Sequence, residues 1–199
     1  MSIRLLQPLA ETGVAEAQFL LGYLFFTGAN VSKPESRDWL ERAASQDHPE
    51  ATYWLACMGA DCDFGPPDDD HGRRLLLRAA ELGSPAAQRD LGCFYATGDS
   101  GFPKDQSSAR NWYGLAAQQG HADAQYNYAF MLLLGEGGLA DREGAYVWFR
   151  KAADAGEEEA RRFLTENPYE KAEPGAAPSD GPATRLEISN TTEGPPSVS

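Results

Sequence analysis

Four segments of the chain carry apolar residues at one shared spacing. Each begins with Ala, has Leu or Tyr four residues later and has Gly or Ala directly after that. Apolar residues recurring every three to four positions are typical of an amphipathic helix. The small residue removes side-chain bulk, which predicts close contact with a neighbouring helix. The segments are residues 17–28, 51–62, 87–98 and 124–135.

A second pattern follows each of these segments and predicts a second helix. It contains a large apolar doublet, an Ala-Ala pair and a terminating residue in the left-handed region. An N-cap residue precedes each doublet by seven positions, and Ser32 with Glu35 reads as a capping box. The Ala pairs are 43–44, 79–80, 116–117 and 152–153, the stops are Asp47, Gly83, Gly120 and Gly156, and the caps are Ser32, Asp68, Asp105 and Asp141.

The two helices together form a unit of roughly 34–37 residues that occurs four times. One such pair cannot bury its apolar face alone, whereas stacked neighbours can. The sequence therefore predicts one all-α domain over residues 1–168, with repeats at about 14–47, 48–83, 84–120 and 121–156 and a polar capping helix at 157–166. Residues 169–199 are rich in Pro, Gly, Ser and Thr, and we expect a disordered tail.

Composition and charge restrict the kinds of molecule that the protein is expected to bind and where it is expected to be found. The net charge of −13 disfavours nucleic acid and anionic membrane surfaces and favours a basic protein partner. No apolar run approaches the ~20 residues of a membrane helix, and the start of the chain does not read as a secretory signal. The three Cys do not suggest a disulfide framework. We therefore expect a cytoplasmic protein.

These linked motifs resemble the Sel-one-like repeat, a relative of the tetratricopeptide repeat. The fullest match is AQRDLGCFYATG…DQSSARNWYGLAAQQG at residues 87–120. The second copy departs most, with Ala56, Gly59 and Cys62 at frame positions. The resemblance covers about residues 3–165 and implies a right-handed α-solenoid of stacked helix-turn-helix repeats, about four to four and a half copies.

The resemblance also implies that the first helix of each repeat lines a concave groove. Positions two, three and six after the frame Ala are then expected to face a protein or peptide partner, and the position before that Ala forms an acidic rim. Exposed aromatic patches are typical of binding sites. The expected groove residues are Phe19, Leu20, Tyr23, Tyr53, Trp54, Cys57, Arg89, Asp90, Cys93, Tyr126, Asn127 and Phe130, with Glu16, Glu50 and Asp123 on the rim. The alternative is that these aromatics belong to the core.

Other candidates for chemistry are weaker. The acidic stretch 61–71 could bind a metal, although its spacing fits neither a calcium loop nor paired zinc ligands, and a solvated loop is the simpler interpretation. Cys57 and Cys93 are expected to be small buried residues, and His48 and His121 to be turn residues. The sequence has no recognisable catalytic motif, so no enzyme activity and no cofactor are expected.

The sequence thus favours a non-enzymatic adaptor that binds one protein in its groove. A more specific version is a bacterial immunity or regulatory protein that occludes a partner enzyme. Two further alternatives stay open: a hydrolase or metal-dependent enzyme using residues 61–71, and a structural spacer whose functional part is the tail. The oligomeric state is not predicted.

Overall fold

A computed structural model describes residues 3–27, 32–58 and 70–169. The described residues form ten α-helices. In chain order, α1–α10 are Ile3–Glu11, Ala15–Thr27, Lys33–Ala44, Pro49–Met58, Asp70–Glu81, Pro85–Thr97, Gln106–Gln118, Ala122–Leu134, Arg142–Asp154 and Glu158–Glu166. We call α2, α4, α6, α8 and α10 the A helices, and α1, α3, α5, α7 and α9 the B helices.

Each helix packs against the next one along the chain, and α4 and α8 also contact α6. A run of small hydrophobic clusters lies between successive helices, and the repeating frame residues fill it. One cluster, for example, joins Ala17 and Leu21 of α2 to Leu6 and Ala10 of α1. The all-α solenoid predicted from the sequence is confirmed.

The caps explain where several helices begin. The side chain of Asp105 accepts hydrogen bonds from the backbone N–H groups of Ser107 and Ser108, and Asp141 accepts one from Gly144. These two predicted N-caps are confirmed. Ser32 also precedes its helix, but its side chain makes no capping hydrogen bond, so the predicted capping box is wrong. Pro34 in the first turn already has the φ angle that a helix needs.

The predicted helix stops all lie in the left-handed region of backbone conformation. The φ angles are +101° at Gly83, +89° at Gly120 and +105° at Gly156, and the non-glycine Asp47 has +60°. This conformation breaks the helix and directs the chain into the next A helix.

Glycine in the A helices permits close approach of the B helices. A Cβ atom on Gly92 would lie 2.6 Å from the ring of Tyr113, and one on Gly22 would lie 2.8 Å from Leu40. Carbon atoms in contact stand about 3.5–4.0 Å apart. The small residue predicted to allow helix contact does so.

Buried glutamines tie the repeats together in a way that the sequence analysis missed. The residue after the frame Ala is Gln18, Gln88 or Gln125, and its Nε2 donates at 3.0–3.1 Å to a carbonyl at the end of the preceding B helix. A second glutamine, just after the end of the following B helix, closes the arrangement. Gln46 donates to Gln18 Oε1, and Gln119 donates to Gln88 Oε1, both at 2.8 Å. We call this pair of bonds the glutamine clasp.

The two ends of the solenoid differ. At the N-terminal end, Leu5 and Leu9 of α1 are 68% and 51% exposed. Leu9 corresponds in register to the first Ala of the Ala-Ala pair in the later B helices. That Ala is 0% exposed in all four repeats. At the other end, α10 buries Ala160 and Phe163 and leaves charged side chains exposed, as predicted for a polar cap. These are Glu158, Arg161, Arg162 and Glu166.

Several sequence predictions lie outside the described residues. They are the tail beyond Tyr169, the acidic stretch at 61–69, Cys62 and the N-cap at Asp68. Among the described residues, no helix is both long enough and apolar enough to cross a bilayer.

Candidate partner-binding strip

The predicted groove residues lie on the A helices, and those of neighbouring helices contact one another. We call them the A-face strip: Phe19, Leu20 and Tyr23 of α2, Tyr53, Trp54 and Cys57 of α4, Arg89, Asp90 and Cys93 of α6, and Tyr126, Asn127 and Phe130 of α8. Its contacts cross from α2 to α4 and from α4 to α6, and at the far end from α8 to α10. The helices α6 and α8 also contact each other, so the two groups of strip residues lie on neighbouring helices.

An aromatic cluster forms the N-terminal end of the strip. The ring of Trp54 lies 5.0 Å from that of Tyr23 and 5.4 Å from that of Phe26, both edge-on. Phe19 stacks on His48 with 4.7 Å between ring centres. Tyr23 is 37% exposed, so the cluster presents an aromatic surface to solvent. Phe26 was absent from the predicted site because it lies nine residues after the frame Ala, outside the positions considered.

Some strip residues serve the core as well. Leu20 is half-buried and packs on the cluster of Leu6, Ala10, Ala17 and Leu21. Trp54 and Phe19 pack against the cluster containing Leu40 and Met58. The predicted aromatics therefore lie at the boundary between the core and the surface, with one face packed and an edge left to solvent.

The middle of the strip is polar. The hydroxyl of Tyr53 donates to Asp90 Oδ2 at 2.9 Å, and the guanidinium of Arg89 lies 2.7 Å from the other oxygen of Asp90. Burial raises the pKa of Asp90, although Arg89 and Tyr53 act in the opposite direction. Burial and the nearby Asp90 charge also raise the pKa of Tyr53. The side chain of Arg89 is 33% exposed, so this cation is accessible from solvent.

The strip cysteines are free thiols. Cys57 is buried and Cys93 is half-buried. Burial raises the pKa of Cys57 to about 12 and also raises the pKa of Cys93. A nucleophilic cysteine needs an accessible thiolate. Cys57 is buried as expected, so it serves packing and does not reach the groove surface. Cys93 is only half-buried, so the expectation of a buried residue is wrong there.

A second aromatic cluster forms the C-terminal end. The rings of Tyr126 and Phe130 are 4.9 Å apart, and Phe130 lies 4.8 Å from Phe149 and 5.1 Å from Phe163. Tyr126 and Phe130 are both half-buried, as is Asn127 beside them. The capping helix α10 therefore supports this end of the strip through Phe163.

The acidic rim is a series of different contacts. Glu16 lies 3.0 Å from His48 Nε2, whereas His48 Nδ1 faces the backbone N–H of Ala51 at the start of α4. Glu50 is half-buried and Asp123 is exposed. At the last junction, Asp123 lies against Glu157. Burial and the hydrogen-bonded carboxyl groups of Glu159 and Asp123 raise the pKa of Glu157 to about 7.

Metal chemistry finds no support in the part of the chain that the structure describes, since it contains no group of three or more His, Cys, Asp or Glu placed to hold an ion. The acidic stretch 61–71, considered as a metal site, lies mostly outside the described residues. The interpretation of this stretch as a solvated loop therefore stays a prediction.

A family model provides an independent comparison. The Sel1 repeat model matches residues 15–48, 49–84, 85–121 and 122–157, which together make up most of the chain. The chain belongs to the Sel1 repeat family. Sel1 repeat proteins are generally protein-interaction scaffolds and generally not enzymes.

Comparisons with individual proteins are consistent with this assignment. The uncharacterised protein NMB1327 of Neisseria meningitidis is 33% identical over 164 residues, which span 82% of this chain and 33% of that protein. A Sel1 repeat protein from Oxalobacter formigenes is 32% identical with a TM-score of 0.73, covering 82% of this chain and 48% of that one. The antigen c5321 of uropathogenic Escherichia coli is 31% identical with a TM-score of 0.69, covering 83% and 36%. The chain thus spans a third to a half of these relatives.

The immunity protein PA5088 of Pseudomonas aeruginosa also has a similar fold. It is 23% identical with a TM-score of 0.57, over 86% of this chain and 63% of that one. At this identity the likeness shows the fold alone.

Proposed function

We propose that this Sel1 repeat chain is a non-enzymatic adaptor that binds one protein partner along its A-face strip, with the strip facing a concave groove. The observation that carries the proposal is the placement of the strip on successive A helices. Contacts join its first aromatic end to its polar middle, and its second aromatic end, on the neighbouring helix α8, contacts α10. Aromatic and arginine side chains are enriched among residues that dominate binding energy.

Charge supports a basic partner. Acidic side chains border the strip at Glu16, Glu50 and Asp123, and the chain carries a net charge of −13. A partner with Lys or Arg would be attracted to such a border, chiefly through a faster association rate. Its affinity is then expected to fall as salt is added.

The test is affinity capture from native lysate, with captured proteins identified by mass spectrometry. Three baits are compared: the intact chain, the Trp54→Ala plus Tyr126→Ala variant, and a chain ending at Tyr169. The fold of the double variant is checked by circular dichroism. We expect one partner to be retained by the intact and shortened chains and lost from the folded double variant.

Equal capture by all three baits would contradict the assignment of the strip. Loss from the shortened chain alone would instead support the spacer alternative, in which the tail holds the partner. Leu139→Ala is a matched control for the double variant, because Leu139 is 90% exposed and lies off the strip.

A further inference from the structure

The A-face strip has two separate aromatic clusters, and their separation restricts what can occupy both. The first centres on Trp54 of α4, and the second is formed by Tyr126 and Phe130 of α8. Between them lies α6, which contributes the polar residues Arg89 and Asp90. A ligand that uses both clusters must therefore cross the charged residues of α6, a helix that contributes no aromatic residue to the strip.

The separation can be estimated from helix packing. Two helix spacings separate α4 from α8, which is about 16–20 Å at 8–10 Å per spacing. An extended peptide advances about 3.3 Å per residue. Two side chains reaching the two clusters are then about five or six residues apart in an extended segment.

The middle of the strip indicates what must lie between these anchors. A guanidinium group has five N–H donors, and Asp90 engages one edge of Arg89, whose side chain remains 33% exposed. Its Nε is buried, so only the terminal N–H groups that Asp90 does not engage can donate to a backbone carbonyl of a crossing peptide. A bulky apolar residue here would bury the Arg89–Asp90 pair without replacing its contacts with water, which is unfavourable.

Charge complementarity defines the flanks. Asp123, Glu157 and Glu159 lie together, and Glu157 and Glu159 are close to Tyr126 of the second cluster. Arg162 already acts on Glu159, so a Lys or Arg next to the second anchor would meet the remaining negative charge of this acidic border.

We propose that the strip binds an extended peptide segment with two large apolar side chains five or six residues apart, no bulky apolar residue midway between them, and Lys or Arg beside the second. This deepens the proposed function and rests on it. The occupant is a linear segment of another protein, recognised by anchor spacing rather than by one fixed sequence.

The test is selection of peptides from a phage-displayed library of random 12-residue sequences on the immobilised intact chain. Selected peptides are synthesised, and their affinity is measured by calorimetry. We expect a shared pattern of two large apolar residues at the stated spacing. Inserting two glycines between the anchors should weaken binding at least about tenfold, since one anchor then leaves its cluster.

Protein variants separate this inference from the proposed function. Tyr23→Ala and Tyr126→Ala should each weaken binding about tenfold, whereas Leu139→Ala should not. Tyr23 is chosen beside Trp54 because it is exposed and its removal leaves the core intact. If both strip variants weaken binding but the glycine insertion does not, two-anchor recognition is wrong and the proposed site stands. If no peptide is selected, the inference fails. If peptides are selected but neither strip variant changes their affinity, both the inference and the proposed site are contradicted.

Discussion

Glu157 shows how one residue can change a repeated junction. The same register position, at the start of an A helix, holds His48, Ser84 and His121 in the preceding repeats. His48 faces the carboxylate of Glu16, whereas Glu157 faces the carboxyl group of Asp123. Burial and these neighbouring carboxyl groups raise the pKa of Glu157, and its hydrogen bond lowers the pKa of Glu159. The last junction therefore holds a proton that an ordinary glutamate would release.

This proton makes stability depend on pH. The pKa of Glu157 is raised in the folded state to about 7 from an ordinary value of 4.5. Its stabilising contribution is therefore fully present below the unfolded pKa and is lost as pH rises through the folded one. Glu157→Gln keeps a neutral donor, so we expect it to raise the free energy of unfolding at pH 8 by about 0.5–1 kcal/mol, the scale of a partly exposed charge contact.

Urea unfolding at pH 5, 6, 7 and 8 measures this effect. The gain of Glu157→Gln over the parent chain should be small at pH 5 and largest at pH 8. Glu166→Gln, at the other end of α10, is the control, because Glu166 is exposed. A gain that is constant with pH would show that Glu157 does not hold the proton.

At the level of single residues, prediction from sequence succeeds where the partner is local. Asp105 and Asp141 cap their own helices, so a short sequence window contains both partners. Ser32 matches the same pattern but makes no capping bond. The contact between Asp123 and Glu157 joins residues of different repeats, so it depends on helix packing that no short window contains.

Between helices, the glutamine clasp is the feature that varies from repeat to repeat. The first and third repeats pair Gln18 with Gln46 and Gln88 with Gln119. The second has Thr52 and Leu82 at these two positions, so both members change together. The fourth keeps the first glutamine, Gln125, but has Ala155 at the second position, and the buried Oε1 of Gln125 has no partner among the described residues.

Ala155→Gln should complete the clasp. The backbone is already suitable, with φ −77° and ψ −3° at Ala155 against −83° and 1° at Gln119. Satisfying the buried oxygen should raise the free energy of unfolding by about 1 kcal/mol. Thermal and urea unfolding measure the change.

The control is the same substitution in a Gln125→Leu background, where no acceptor remains. There we expect no gain, so the two changes should be non-additive. An equal gain in both backgrounds would mean that the added glutamine acts without the clasp.

The helices themselves were largely predictable, because every repeat supplies the same frame and the same left-handed stop. The first glutamines were visible in the sequence at the position after the frame Ala, and their recurrence was the signal that the sequence analysis left unused. Their partners lie just after the next B helix, about 30 residues later, and hydrophobic spacing alone does not identify them.

On the scale of the whole molecule, each repeat is held by its neighbours, so the ends are the weakest parts of a solenoid. At the C-terminal end of the described solenoid, Phe163 of α10 stacks on Phe149 with 4.2 Å between ring centres. The ring of Tyr169 also lies 4.8 Å from that of Tyr146. The ring of Phe163 contacts Phe130 of the strip. Stability of this end and shape of the second aromatic cluster are therefore linked.

Phe163→Ala should loosen the last repeat first. Large-to-small core changes of this kind cost about 3 kcal/mol or more. We expect faster amide hydrogen exchange in α9 and α10, with little change in α2 to α5. Arg162→Ala on the exposed side of α10 is the control. Uniformly faster exchange along the chain would show that the repeats unfold together instead.

The exposed leucines of α1 suggest a route for engineering. In α3, α5, α7 and α9, the corresponding side packs against the A helix that precedes it, whereas in α1 this side exposes Leu5 and Leu9. An additional repeat fused upstream would find a surface ready to accept it, whereas α10 presents charge to any module joined downstream. The two ends of the solenoid therefore differ in their capacity to accept a further repeat. A designer who wants a longer binding surface would add repeats on the N-terminal side.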